Sequence, residues 1–234
     1  MERTLLSIPV DVPDVDAVEA WYERPTGQGR PRPFAVLFAH GSNFGKDSPW
    51  TRTVVEGFLA RGVAVLSFDY AYRTRLRRGA AAAVGRTDPL ADLEHVHTRA
   101  LAALAERSPT ERMILAGKSL GARLSTLLAA KGERCHGLVS FGYPLPPRGP
   151  DRLLSEHFAT LAQPALFLQG TRDPLCDVAL LERELLRYSG AAQVEVLEDG
   201  DHGFFLPDEQ DAEVPRSLDA LVERSVAWLD TSWP

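Results

Sequence analysis

The chain is poor in cysteine, has no excess of basic residues and contains no long apolar run. Only Cys135 and Cys176 occur among 234 residues. A small secreted scaffold held by disulfides needs more than that. Basic residues number 26 against 32 acidic ones, for a net charge of -6. Affinity built on phosphate neutralisation calls for the opposite balance, so nucleic acid is not expected as a partner. Apolar stretches such as Phe34–Ala39 and Ala80–Val84 fall far short of the ~20 residues needed to span a bilayer. The segment Met1–Pro9 lacks a basic stretch followed by a long apolar one, so no signal peptide is expected. These absences predict a cytoplasmic protein with reduced thiols, with neither nucleic acid nor membrane as partner. They leave the oligomeric state open.

What is present is the composition of a globular domain, 44% hydrophobic and 25% charged. A single domain over 1–234 has ample core, since a chain of this size buries roughly 70–75% of its unfolded surface. An N-terminal strand pair is expected at Thr4–Pro9 and Ala17–Glu23, followed by a Gly/Pro-rich loop over Arg24–Pro33. From Phe34 onward, short apolar runs alternate with longer amphipathic ones. That order predicts a mostly parallel, doubly wound α/β sheet. Strands are expected at Phe34–Ala39, Val63–Phe68, Met113–Ala116, Leu138–Phe141, Ala165–Leu168 and Val194–Leu197. Ser48-Pro49 and Asp88-Pro89 each read as an N-cap followed by proline in the first turn of a helix. Gly132 suits the end of the helix carrying Leu120, Leu124, Leu127 and Leu128. Further helices are expected over Val178–Tyr188 and around Leu218–Leu229.

Gly117-Lys118-Ser119-Leu120-Gly121 fits G-x-S-x-G, with a predicted strand before it and a helix after it. This pattern makes a strained strand-to-helix turn that exposes the serine hydroxyl. A serine hydroxyl needs a base, usually a histidine that a carboxylate orients. After Ser119 the chain holds His136, His157 and His202. His136 precedes a strand, at the wrong end, and His157 lies in a connection. His202 follows the Val194–Leu197 strand, at the end where ligands gather in open parallel sheets. Asp173, closing the preceding strand, is the expected acid. Asp177 is better suited to cap the next helix. The backbone N–H groups of Leu120 and Ser42, the latter in the His40-Gly41-Ser42 turn, are the expected oxyanion donors.

These residues resemble the α/β-hydrolase superfamily, with its small dienelactone-hydrolase-like members nearest in size. The resemblance extends to a family of small hydrolases that includes an animal testis-expressed protein and a subunit of a histone-acetyltransferase complex. It rests on His40-Gly41, Gly117-Lys-Ser-Leu-Gly-Ala-Arg123, Phe141-Gly-Tyr-Pro-Leu145, Gln169-Gly-Thr-Arg-Asp173 and Gly200-Asp-His202. Two departures stand at the pocket wall: Pro174-Leu175-Cys176 replaces the Phe-Gly of relatives, and the loop Ser42–Ser48 differs from its usual form. The resemblance implies an active site and no named substrate.

The connection Gly142–Pro164 is too short for a lid domain, so an open site rimmed by Tyr143 and Leu145 is expected. Lys118 and Arg123 either lock the elbow or meet an anionic substrate group. Tyr70–Thr87, with Arg73, Arg75, Arg77, Arg78 and Arg86 and no acidic residue, reads as a solvated, mobile or partly helical connection beside the site. No spacing of His, Cys or Asp suits a metal. The expected chemistry is hydrolysis of a small-molecule ester substrate through an acyl-serine, which requires no cofactor. The alternatives are a catalytically silent scaffold of the same fold, or C–C hydrolysis or perhydrolysis on the same three residues.

Overall fold

The computed structural model describes residues 1–26, 32–79, 86–108, 110, 112–145, 155–209 and 211–233. Its eight strands are β1 (Glu2–Val12), β2 (Val15–Arg24), β3 (Phe34–Ala39), β4 (Ala64–Phe68), β5 (Arg112–Lys118), β6 (Gly137–Phe141), β7 (Ala165–Gly170) and β8 (Ala192–Leu197). They form one sheet in the order β1-β2-β4-β3-β5-β6-β7-β8. The β1–β2 and β2–β4 pairs are antiparallel and the rest are parallel. The described helices are α1 (Pro49–Ala60), α2 (Ala71–Arg77), α3 (Leu90–Arg107), α4 (Leu120–Ala130), α5 (Val178–Leu185) and α6 (Leu218–Ser232). This is the doubly wound fold expected, and the described residues between β6 and β7 hold no lid domain, their one named element being a short 3-10 turn, Glu156–Thr160.

Side-chain alternation explains the two layers. Every residue of β3 is buried. Phe34, Val36 and Phe38 face a core completed by α1 and α6, while Ala35, Leu37 and Ala39 face the core under α2, α3 and α4. A strand covered on both faces needs no polar side, which is why its sequence reads as a continuous apolar run. The edge strand β1 instead alternates, with Leu6, Ile8, Val10 and Val12 inward. It runs longer than expected because Pro13 and Asp14 make a tight turn, with Asp14 at φ 61°.

Local signals place most helices. Ser48 caps α1, accepting from the Thr51 N–H, with Pro49 in the first turn. Asp177 caps α5 by accepting from the Leu180 N–H at 2.8 Å. Gly132 adopts φ 92° after α4, a left-handed conformation that suits glycine. The start of α3 differs from expectation: no side chain caps it, and Pro89 occupies the cap position. Asp88 is diverted to α2, where it accepts from the Tyr72 N–H at 2.8 Å and pairs with Arg75. An ionic partner and a buried backbone donor outcompete a cap that faces water.

The basic stretch after β4 is likewise not a solvated loop in its described part. Ala71–Arg77 is helical. Arg75 pairs with Asp88, and Arg77 pairs with Asp69 at 2.9 Å and Asp47 at 2.8 Å. The acids that order these arginines come from other segments, so a scan of the stretch alone shows only positive charge. Residues 27–31, the alanine run at 80–83 and the proline-rich 146–150 lie outside the described residues.

Candidate active site

The loops after β3, β5, β7 and β8 converge at the C-terminal edge of the sheet. Ser119 stands between β5 and α4 at φ 51° and ψ -110°. A non-glycine residue in that region is strained, and the surroundings must hold it there. Its N–H donates to the Phe141 carbonyl at 3.1 Å. The flanking glycines make the turn possible. A Cβ on Gly117 would lie 2.5 Å from the Gly121 carbonyl carbon, and one on Gly121 would lie 2.1 Å from the Ala39 carbonyl oxygen. Both obstacles are backbone, which cannot rotate away. Gly121→Ala is therefore expected to destabilise the fold by ~3 kcal/mol or more, through overpacking and backbone displacement. A denaturant midpoint equal to that of wild type contradicts this.

His202 Nε2 lies 2.9 Å from Ser119 Oγ, and His202 Nδ1 lies 2.7 Å from Asp173 Oδ2. A carboxylate only accepts, so the proton sits on Nδ1 and Nε2 is left to accept from the serine hydroxyl. The Asp173 side chain is wholly buried, while His202 is partly open. Asp173 also accepts from Gln169 Nε2 at 2.6 Å and from the Leu175 N–H at 2.8 Å. The Gln169 contact went unforeseen, although a polar residue inside the otherwise apolar β7 was a signal for it.

The His202 loop is built by its neighbours. Asp201 Oδ1 accepts from the N–H groups of Gly203 and Phe205, at 2.7 and 2.9 Å. Trp50 Nε1 donates to the Gly203 carbonyl at 2.9 Å, and Ser217 Oγ donates to the Phe204 carbonyl. The loop also presses against β7, where a Cβ on Gly170 would sit 2.2 Å from the Gly200 carbonyl oxygen. Asp173 and His202 thus share one tightly packed corner.

Ser42, Ser119 and Leu120 line a single pocket of about 570 Å³. The Ser42 turn is held from below. Tyr72 Oη donates to the Ser42 carbonyl at 3.0 Å. Lys46 and Asp69, both buried, pair at 2.9 Å, and the Lys46 N–H donates to the other Asp69 oxygen. Twenty-odd residues separate these partners in the chain, so no local pattern revealed them. A second cavity, of about 450 Å³, lies beside Glu156, Arg183, Glu184 and Arg187, away from Ser119.

Two expected rim residues lie elsewhere. Tyr143 and Leu145 are completely buried. The Tyr143 ring packs on Phe158 and Phe167, with centroids 5.4 and 5.6 Å away. Leu145 pairs with Cys176 in a short bridge. A large ring gains more by filling the core than by facing water, and Gly142 at φ 63° turns the chain to allow it. Pro144, between them, lines the pocket instead. Neither other histidine reaches Ser119. His136 accepts from the Met113 N–H, and His157 bonds Thr126 Oγ1 at 2.8 Å.

Lys118 is almost wholly buried, with its Nζ lacking any hydrogen-bond partner. The amine lies 5.8 and 6.0 Å from the ring centres of Phe204 and Trp50. Burial pushes it down to about 7 despite the attraction of Asp173 and Asp201. The unfolded chain holds that proton to about 10.4, so raising the pH from about 7 towards 10 favours the folded state. Relative to Lys118→Met, wild type is expected to gain ~1.4 kcal/mol of stability per pH unit across that window. Paired urea titrations at pH 7.5 and 9.5 check this, and a pH-independent difference contradicts it.

Among the described residues, no group of three or more His, Cys, Asp or Glu is placed to hold a metal ion. No described helix is long and apolar enough to cross a membrane.

A mixed sheet with a strained serine turn at the C-terminal edge of β5, facing groups that follow β7 and β8, is the α/β-hydrolase fold. The chain belongs to the alpha/beta hydrolase domain family, whose sequence profile matches residues 32–230. Among solved structures it is similar to dienelactone hydrolase from Anabaena variabilis, with 21% identity and a TM-score of 0.75, covering 98% of this chain and 97% of that one. It is similar also to a lidless serine hydrolase from Xanthomonas campestris, with 19% identity and a TM-score of 0.70 over 97% and 95% of the two chains. An esterase from Pyrococcus furiosus matches at 16% identity with a TM-score of 0.71, over 98% and 90%.

Proposed function

We propose that the protein is a serine esterase that hydrolyses small esters through an acyl-enzyme. The observation that carries this reading is the continuous contact from Ser119 Oγ to His202 to Asp173, at 2.9 and 2.7 Å. Ser119 attacks the ester carbonyl while His202 Nε2 takes its proton. Asp173 holds the ring in the required tautomer and stabilises its charged form. The oxyanion is held by the Leu120 and Ser42 N–H groups, each worth ~10²–10³ in rate in comparable sites. The protonated His202 then gives its proton to the leaving alcohol. Water, activated by the same ring, releases the acid.

The similar dienelactone hydrolase, serine hydrolase and esterase support the class of reaction, and the pocket suits a small substrate, falling within the ~300–1,000 Å³ typical of ligand sites. The Lys118/Arg123 pair at the elbow and Phe141-Gly-Tyr-Pro-Leu145 support a kinship with the small hydrolases that include the testis-expressed and acetyltransferase-complex proteins. Buried, unpaired Cys135 and Cys176 suit a cytoplasmic setting.

A series of p-nitrophenyl esters from acetate to dodecanoate tests the reading. Short acyl chains are expected to be turned over, and acid quenching during turnover is expected to trap the acyl group on the peptide containing Ser119. A folded protein that hydrolyses none of them, or does so with acyl label elsewhere, contradicts it.

A further inference from the structure

Among the described residues, the pocket that holds Ser119 is lined by three arginines and no acidic residue. Arg73 reaches it from α2, Arg123 from α4, and Arg86 from the segment before α3. This is an unusual wall for a chain whose net charge is -6. Neighbouring arginines are treated differently. Arg75 and Arg77, on the same short helix as Arg73, are ion-paired, and Arg52 is clamped by Glu23 at 2.7 and 3.0 Å. Arg73 and Arg123 each retain a buried Nε with no hydrogen-bond partner. Leaving such a donor unsatisfied typically costs ~1–3 kcal/mol. Gly45 leaves room for Arg73 near two acids: a Cβ there would stand 3.1 Å from the Arg73 Nε, 3.0 Å from Asp47 Oδ1 and 3.1 Å from Asp69 Oδ1, carboxylates that pair with Arg77 and Lys46 rather than with Arg73.

We propose that this wall binds an anion, so that the substrate is an ester that also carries a carboxylate or phosphate group. The inference rests on the esterase reading for the reaction and adds the substrate class. The bland alternative, that the arginines merely cover the pocket with solvated charge, fits poorly with two side chains whose Nε is shielded from solvent and which make no hydrogen bond or ion pair among the described residues. A guanidinium offers its donors in a planar fork that matches carboxylate and phosphate oxygens. With the anion held on Arg73 and Arg123, the ester group is presented to Ser119 between the two sides of the pocket. Arg86, which is exposed at the pocket mouth, adds attraction during approach.

Matched ester pairs test the proposal without any variant. Monomethyl glutarate is compared with methyl pentanoate, which places the anion on the acyl side. The acetate ester of 4-hydroxybutanoate is compared with butyl acetate, which places it on the alcohol side. Wild type is expected to prefer the anionic member of at least one pair by tenfold or more in kcat/KM, mainly through KM. The preference is expected to shrink with added salt. In Arg73→Gln and Arg123→Gln the anionic-to-neutral ratio is expected to fall ~10–100-fold, the usual worth of a charged hydrogen bond. Competitive inhibition by glutarate or by inorganic phosphate separates the two kinds of anion. Ratios near one in both pairs, or a ratio that both variants preserve, overturn the proposal.

The two readings fail separately. Hydrolysis of neutral esters without an anion preference sinks the substrate class alone. If wild type hydrolyses no ester, the esterase reading fails and the wall is tested by binding. Glutarate or phosphate that raises the Tm of wild type but not of Arg73→Gln then supports an anion site, and no shift with either overturns it.

Discussion

Ser119→Ala is expected to lower kcat for ester hydrolysis by ~10⁴–10⁶-fold while leaving the denaturant midpoint within ~0.5 kcal/mol of wild type. The size follows from the chemistry. Without Oγ no acyl-enzyme forms, and what remains is water attacking a carbonyl polarised by the oxyanion donors. The change removes only a hydroxyl whose partner is His202 Nε2 at 2.9 Å, and the strained backbone at Ser119 is retained. Asp173→Asn is expected to act in the same direction, because an amide can donate to Nδ1 and favour the wrong tautomer. Steady-state rates with a short p-nitrophenyl ester, alongside urea unfolding of each variant, separate chemistry from folding. Residual rates within tenfold of wild type in Ser119→Ala contradict the assignment.

The second large effect is on stability in mild acid. His40, which precedes the Gly41-Ser42 turn, and His97, on α3 against Phe68 and Tyr70, are completely buried. His40 contacts the Gly41 carbonyl through Nδ1 at 2.8 Å and accepts from the Tyr70 N–H through Nε2. His97 Nδ1 bonds the Tyr70 hydroxyl at 3.1 Å. Burial pushes His40 down to about 4, against the opposing pull of Asp69, and pushes His97 down to about 3, helped by His40. In the unfolded chain both titrate near 6.5. Below that pH the unfolded state binds protons that the folded state refuses, so stability falls as the pH falls. It is unaffected by these groups above 6.5. Full titration would cost about 3 kcal/mol through His40 and about 5 kcal/mol through His97. At pH 4 titration is incomplete and the two together cost about 6 kcal/mol, which matches the low end of a typical total of ~5–15 kcal/mol. Urea midpoints from pH 7.5 to 4.5 are expected to fall steeply. In His97→Gln, which keeps a partner for Tyr70, the fall is expected to be shallower. Midpoints that stay level to pH 4.5 contradict this account.

The strand order, the strained turn at Ser119 and the positions of Asp173 and His202 opposite it were legible because each is written locally. The buried β3 run, the Ser48-Pro49 start and the two glycines around Ser119 are contiguous signals, and the order Ser119, Asp173, His202 follows the strands. What escaped depends on partners remote in the chain. Arg75 and Arg77 look solvated until Asp88, Asp69 and Asp47 are brought beside them. Lys46 and Asp69 show no pattern of their own, yet they hold the Ser42 turn. Tyr143 read as a rim residue because a tyrosine beside prolines suggests a surface loop. The ring is drawn inward by Phe158 and Phe167, which arrive later in the chain. The basic character noted in Tyr70–Thr87 does reach the site, but through Arg73 and Arg86 rather than through a mobile cluster.

The most direct measurement is covalent labelling of the folded protein with a fluorophosphonate, read by intact mass and peptide mapping. Such a probe reacts with a serine only where a base has activated it. One phosphonyl group per chain is expected, on the peptide containing Ser119, with labelling abolished in Ser119→Ala and strongly slowed in His202→Ala. A well-folded wild type that stays unlabelled, or one whose label persists in Ser119→Ala, would contradict the central claim.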